Sequence, residues 1–280
     1  MANMLIVGCG DLGMRLAHAL AEKGHQVTGL KRHPPPHDSR IRYVAADIAS
    51  GIGLDGLDTD FDQLFFIVTP DGRSESDYHA IYEIGLHRLL TKLPRCPWIF
   101  VSSTGVYAQS QGEWVDENSP AEPEAVTNRL IRQAEKQLIE SNSDNIIVRF
   151  SGIYGPGRES LLRMAAQSPA IQKEPPYFTN RIHQLDCVGV LDFLLEQRLK
   201  GRKLENCYLA SDDDPTPLWN VTSWLAERMH CAPPVARAVG KNAAMNKRCS
   251  NRRLRDLGYQ FRYPDYKKGY AELIDKDRLG

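Results

Sequence analysis

The chain begins with short apolar runs alternating with amphipathic stretches. Met4-Leu5-Ile6-Val7 is an unbroken apolar run ending in glycines, the pattern of a strand buried on both faces of a parallel sheet. Leu12, Leu16, Ala19 and Leu20 then recur at helical spacing as far as Gly24, which suits a helix stop. Further strands are expected at 26–30, 42–46, 64–68, 98–102 and 146–150. Two longer helices are expected at 78–93, with Ile81, Ile84, Leu86 and Leu89 inward, and at 122–141. Strand and helix alternate, which predicts an α/β fold with a doubly wound parallel sheet and right-handed crossovers. After Gly157 the rhythm changes, and Pro169, Pro175 and Pro176 interrupt the chain. Helices at 188–199 and 218–229, with strands at 182–185 and 207–210, predict a smaller C-terminal lobe interleaved with the end of the sheet. The expected division is 1–157 and 158–280.

The first strand runs into Gly8-Cys9-Gly10-Asp11-Leu12-Gly13. This GxGxxG run follows a strand, opens a helix and precedes a second strand, the context of a Rossmann dinucleotide-binding unit. Gly8 permits the tight turn, Gly10 lets a pyrophosphate approach the backbone, and Gly13 lets helix pack on strand. The helix N-terminus then offers free N–H groups, Asp11 and Leu12 among them, to the phosphates. The second strand ends in Leu30-Lys31-Arg32, where NAD sites usually carry an acid for the ribose 2′-hydroxyl. Two cations there suit a 2′-phosphate, which arginine grips with two parallel hydrogen bonds. NADP(H) is the expected cofactor, with NAD(H) as the alternative. Asp47, after the third strand, is placed either to bond the adenine edge or to build a turn.

Composition narrows the partners. Lys+Arg and Asp+Glu both number 35, so no global field favours nucleic acid or an anionic membrane. No apolar run reaches membrane-spanning length. The six cysteines form no CxxC pair, which points to reduced thiols and a cytoplasmic setting. His33 and His37 stand four apart, but three prolines between them forbid a helix, so no metal site is expected.

Three later segments carry a family resemblance. Val101-Ser102-Ser103-Thr104-Gly105-Val106-Tyr107 resembles the SSxxVYG strand end of extended short-chain dehydrogenases/reductases. Arg149-Phe150-Ser151-Gly152-Ile153-Tyr154-Gly155-Pro156-Gly157 is similar to their LRxxxxYGPG segment, and Arg181-Ile182-His183-Gln184-Leu185-Asp186 to their xIHVxD segment. Their order and spacing resemble the NAD-dependent epimerase/dehydratase family across nearly the whole chain. The resemblance implies a Rossmann-like domain with a C-terminal substrate lobe, and hydride chemistry on nucleotide-linked sugars or related carbonyl compounds. It also implies a serine, here Ser103, that positions the reacting oxygen, and a YxxxK pair that exchanges the proton. A phenol near pKa 10 needs an adjacent cation to serve as a base at neutral pH.

That pair is where the resemblance breaks. Aligning Ala134-Glu135 with the family's AAE puts Thr127 in place of the tyrosine and Ile131 in place of the lysine. No tyrosine lies between Tyr107 and Tyr154. Val7 also replaces the first glycine of the extended family's GxxGxxG. Both departures resemble the atypical subgroup. Tyr107 is the candidate replacement acid, with Arg129 and Arg132 as neighbouring cations. Asn128, Arg129 and His183 are candidate substrate contacts, though Asn128 and Arg129 equally suit a helix start and a solvated face. Asp186 suits a helix cap. Lys247, Arg248, Arg252, Arg253 and Arg255 form a basic cluster that suits either a diphosphate or a salt-bridged surface. Two functions follow: an NADP(H)-linked oxidoreductase, epimerase or dehydratase acting on a small molecule, or a dinucleotide-binding sensor without turnover. A homodimer through the two long helices is implied by the resemblance alone.

Overall fold

A computed structural model describes residues 1–36, 38–238 and 246–277. The first half of the chain forms β1 (Asn3–Val7), α1 (Asp11–Glu22), β2 (Gln26–Lys31), β3 (Arg42–Ala45), β4 (Gln63–Phe66), α2 (Glu75–His79), a π-helical turn (Ala80–Gly85), α3 (Leu86–Lys92), β5 (Trp98–Ser103), β6 (Glu113–Val115), α4 (Val126–Ser141) and β7 (Ile146–Phe150). The second half forms β8 (Gly152–Tyr154), α5 (Ser160–Ala165), β9 (Ala170–Gln172), β10 (Phe178–Thr179), β11 (Arg181–His183), α6 (Gln184–Leu199), β12 (Cys207–Ala210), β13 (Thr216–Pro217), α7 (Leu218–Met229), β14 (Val235–Arg237), β15 (Lys247–Cys249), α8 (Arg252–Leu257) and α9 (Tyr266–Asp277).

Seven strands make a parallel sheet in the order β12-β7-β5-β4-β1-β2-β3. The order reverses beside β1: β2 and β3 extend one way, and β4, β5, β7 and β12 the other. Ligands of such sheets bind outside the carboxyl ends of the strands at this reversal. Met4, Leu5, Ile6 and Val7 have no exposed surface, as an apolar run in a central strand requires.

The chain divides into two packing units. The first comprises Met1–Val106, Glu122–Arg149 and Leu191–Tyr208, and the second Tyr107–Ala121, Phe150–Val190 and Leu209–Gly280. A single cut at residue 157 does not describe this. Residues 107–121 leave the first unit early, while the end of α6 and the start of β12 return to it. The sheet needs β12 beside β7, and the Ile147 N–H bonds the Asn206 carbonyl at 2.8 Å.

In the first unit Phe66 stacks on Phe100 at 5.2 Å and on Trp98 at 6.0 Å between centroids. The helix expected over 78–93 departs from its pattern. Its middle winds as a π-helix, which widens one turn and rotates the residues after it. Within that widened turn Tyr82 is buried and Ile84 exposed. The other long helix starts at Val126 instead of 122, because Pro120 and Pro123 favour extended chain before them. Glu135 on α4 is fully buried. Its Oε1 accepts from the Ser102 hydroxyl at 2.6 Å and Arg149 Nε at 2.9 Å; its Oε2 accepts from Arg149 Nη2 at 2.7 Å and Arg132 Nη1 at 2.8 Å. One carboxylate thus ties α4 to β5 and β7. The second unit has its own core, in which Tyr154, Leu162, Val221, Leu225, Tyr270 and Ile274 pack together.

Replacing Glu135 by glutamine removes the charge that compensates buried Arg149. Loss of one partner of a buried ion pair costs about 3–5 kcal/mol. The urea midpoint of Glu135→Gln should fall accordingly. A midpoint within the scatter of surface substitutions would show that the pair adds nothing to stability.

Candidate functional site

The glycine turn joins β1 to α1 at the reversal of the sheet. Gly8 has φ +93°, and a Cβ there would lie 2.4 Å from the Ile67 carbonyl oxygen at the end of β4. A Cβ on Gly13 would lie 2.3 Å from the Gly8 carbonyl oxygen, so only glycine lets α1 approach the turn this closely. Gly10 has nothing within 4 Å of that position, which leaves room for a ligand. It is the N-cap of α1 and is exposed, so an anion can approach the positive dipole end of the helix there. Leu12 is buried under the helix, and Asp11 is exposed and bonded to Arg15 at 2.8 Å. Cys9 sits beneath the turn. Burial pushes its thiol up to about 12 despite the Lys31 charge, so it stays protonated.

Lys31 ends β2 and Arg32 follows it. Arg32 is exposed and forms a two-pronged ion pair with Asp71 in the loop after β4. Asp47 takes the turn-building role. Its Oδ1 accepts from the Ala49 N–H at 2.9 Å and its Oδ2 from the Ser50 hydroxyl at 3.0 Å. These residues, with the glycine turn, belong to the first unit and follow the carboxyl ends of β1, β2 and β3.

Ser103 ends β5, and its Oγ accepts from the Gly105 N–H at 3.0 Å. That leaves the hydroxyl proton to donate. Asn128, in the first turn of α4, lies against Gly105. Thr127 is half-buried and Ile131 buried on the same helix. Arg129 is exposed, and its Nη1 donates to the Glu124 carbonyl ahead of the helix. Its observed work is to hold the helix start.

Tyr107 and His183 fall in the second unit, and both are buried. The Tyr107 hydroxyl donates to the Asp116 carbonyl at 2.8 Å, and its own carbonyl accepts from Lys247 Nζ at 2.9 Å. A phenol engaged in this way tethers a loop. His183 is 3% exposed and lies among aromatic rings. Its ring lies 3.9 Å from that of Tyr263 and 5.2 Å from that of Tyr154, and its Nδ1 accepts from the Leu185 N–H. It packs as a core aromatic.

Asp186 accepts from the N–H groups of Arg262 and Tyr263 at 2.7 and 2.9 Å, and so pins the segment before α9. The basic cluster disperses. Lys247 is buried, Arg248 bonds the Gly112 carbonyl, Arg252 pairs with Asp256, Arg253 with Glu117 and Arg255 with Asp213. Tyr263 and Lys267 have YxxxK spacing, but Pro264 separates them and Tyr263 precedes α9, so no helix face presents them together. His37 lies outside the described residues. Among the described residues no three His, Cys, Asp or Glu gather as metal ligands, and no helix is long and apolar enough to cross a membrane. None of the six cysteines is in a disulfide.

Sequence reasoning missed a buried polar group in the second unit. Arg181, Asp212 and Tyr154 are all below 5% exposed. Arg181 Nη2 donates to the Thr179 carbonyl at 3.1 Å, and its guanidinium lies 5.1 Å from the Tyr266 ring centre. Asp212 accepts from the Asp214 N–H at 3.3 Å, and burial pushes its carboxyl well above the ordinary range despite the Arg181 charge. Tyr154 and Arg181 stand in two of the family-like segments, but Asp212 lies outside both, so no spacing joins the three.

The NAD dependent epimerase/dehydratase family matches residues 4–193. A solved structure from Methylobacillus flagellatus, provisionally described as an NAD-dependent epimerase/dehydratase, is 34% identical. It has a TM-score of 0.82, with 99% of each chain covered. Protein YeeZ of Escherichia coli (strain K12) is 29% identical over 95% of this chain and 97% of its own. MoeE5, solved in complex with UDP-glucuronic acid and NAD, shares the fold at 20% identity and a TM-score of 0.80, with 99% of each chain covered.

A pH dependence follows from Asp212. Its folded pKa is raised, so the stability contributed by its protonated form is complete below the unfolded value of about 3.9. That stability is lost as pH rises through the folded value. Asp212→Asn stays uncharged throughout. Its stability relative to the parent should therefore increase from about pH 4 toward neutrality, measured by urea unfolding across that range. A difference that does not change with pH would show that Asp212 is ionised in the fold at no cost.

Proposed function

The chain belongs to the NAD dependent epimerase/dehydratase family, and we propose that it binds NADP(H) and acts as an oxidoreductase or epimerase on a nucleotide-linked sugar or small carbonyl compound. The observation that carries this reading is the open helix start at Gly10 beside Lys31 and Arg32. The N-terminal end of α1 behind the exposed Gly10 suits a pyrophosphate. The two cations at the end of β2 suit a 2′-phosphate better than a 2′-hydroxyl.

A bound nicotinamide ring supplies hydride chemistry. The chain's own contribution is to orient the reacting oxygen. Ser103 suits this task, because its oxygen already accepts from Gly105 while its proton is free to donate. Glu135 fixes the strand end that carries it, through the adjacent Ser102. Tyr107 is not assigned the proton, since its hydroxyl is engaged by Asp116. Thr127 is too weak an acid and Ile131 has no charge. Those two residues favour a second reading, a dinucleotide sensor without turnover.

Calorimetric titration with NADP⁺, NADPH, NAD⁺ and NADH separates the cofactor assignments. Tighter binding of the phosphorylated pair is expected. Equal or weaker binding would remove the role given to Lys31 and Arg32. Turnover of NADPH with a panel of nucleotide-sugars and carbonyl compounds then tests for an enzyme. Ser103→Ala should lower kcat by about 100-fold, the typical effect of losing a donor to a developing oxyanion. Tyr107→Phe should keep kcat and lose about 1 kcal/mol of stability. The reverse pattern would give Tyr107 the catalytic role, and no turnover with any substrate would favour the sensor.

A further inference from the structure

Arg32 carries the 2′-phosphate reading, yet its guanidinium is already engaged. Nη1 and Nη2 donate to Oδ2 and Oδ1 of Asp71 at 2.5 and 2.6 Å. This fork-to-fork geometry is the one by which arginine grips a phosphate. The Arg32 guanidinium holds the Asp71 carboxyl below the usual carboxylate range.

The two residues come from different strands. Arg32 follows β2 and Asp71 follows β4, and β1 runs between those strands. Two strand spacings put β2 and β4 about 10 Å apart, and Asp71 lies in the loop between β4 and the Ser74 cap of α2. The bridge therefore joins the chain leaving β2 to the loop after β4, the two strands that flank β1.

The loop that carries Asp71 is held at both ends. The Tyr82 hydroxyl donates to the Val68 carbonyl at 3.2 Å, and a capping box between Ser74 and Asp77 opens α2. The two partners themselves are open to water, with side chains 51% and 69% exposed. They can part without leaving a cavity.

We propose that Asp71 sets the dinucleotide preference of this site by occupying the fork of Arg32 that a ribose 2′-phosphate would take. The proposal rests on the assignment of Arg32 to that phosphate. A carboxylate and a phosphate cannot both accept from the same two N–H groups, and their like charges repel at close range. NADP(H) must displace Asp71, whereas NAD(H) leaves the bridge closed. The chain thus holds its own competitor for the phosphorylated cofactor, and the discrimination between the two cofactors is smaller than Arg32 alone would give.

The test is calorimetric titration of NADP⁺ and NAD⁺ into the parent, Asp71→Asn, Asp71→Ala, Arg32→Ala and the Arg32→Ala/Asp71→Asn double variant. Both Asp71 variants should bind NADP⁺ roughly fivefold more tightly, the upper end for an exposed charge pair. NAD⁺ affinity should stay within about twofold, and the gain should shrink as salt rises. In the Arg32→Ala background Asp71→Asn should add little. If Arg32→Ala leaves NADP⁺ binding unchanged, the 2′-phosphate assignment fails and the proposal falls with it. If Arg32→Ala weakens NADP⁺ but neither Asp71 variant tightens it, the assignment stands and the proposal is overturned. Equal changes for NADP⁺ and NAD⁺ in the Asp71 variants would also overturn it, because they would report a general change in the loop.

Discussion

A helix presents free N–H groups to an anion only if its first turn reaches a strand end with nothing in the way. In this chain Gly8 and Gly13 meet that constraint. Gly8 turns the backbone with a positive φ against the end of β4, and Gly13 lets α1 close onto the Gly8 carbonyl. Any Cβ at either place would collide with backbone, which cannot yield as a flexible side chain does. The position of the helix start, its distance from β2 and β4, and the space beside Gly10 all follow from this close approach.

A second constraint is electrostatic. Glu135 is a buried carboxylate with four hydrogen bonds, from Ser102, Arg149 and Arg132. A buried charge is tolerated when partners replace its lost hydration. Here those partners fix how α4, β5 and β7 meet. Ser103 follows Ser102 in β5, so its position is set by a buried group to which it is not itself bonded.

Much of this was legible in the sequence, because parallel strands leave continuous apolar runs and glycines mark tight turns. Met4–Val7, the GxGxxG run and β7 fell where their patterns put them. Other features depend on partners distant along the chain. Arg32 reads as a free cation until Asp71, 39 residues away, is seen to hold it. His183 and Tyr107 read as candidate functional groups, yet an aromatic core takes one and a backbone carbonyl the other. The basic residues near the C-terminus look like one patch because they are close in sequence; folding gives each a different partner. The π-helical turn moved Ile84 outward because helical periodicity assumes a constant 3.6 residues per turn.

The central claim is that this site binds a dinucleotide through a 2′-phosphate held by the cations at the end of β2. Phosphorus NMR of NADP⁺ across a pH series, with and without the protein, tests it most directly. Cations that grip the dianion lower its second pKa. In the complex the 2′-phosphate resonance should titrate at clearly lower pH than in free NADP⁺, and Arg32→Ala should restore part of the difference. A bound 2′-phosphate that titrates as it does in free solution would contradict it.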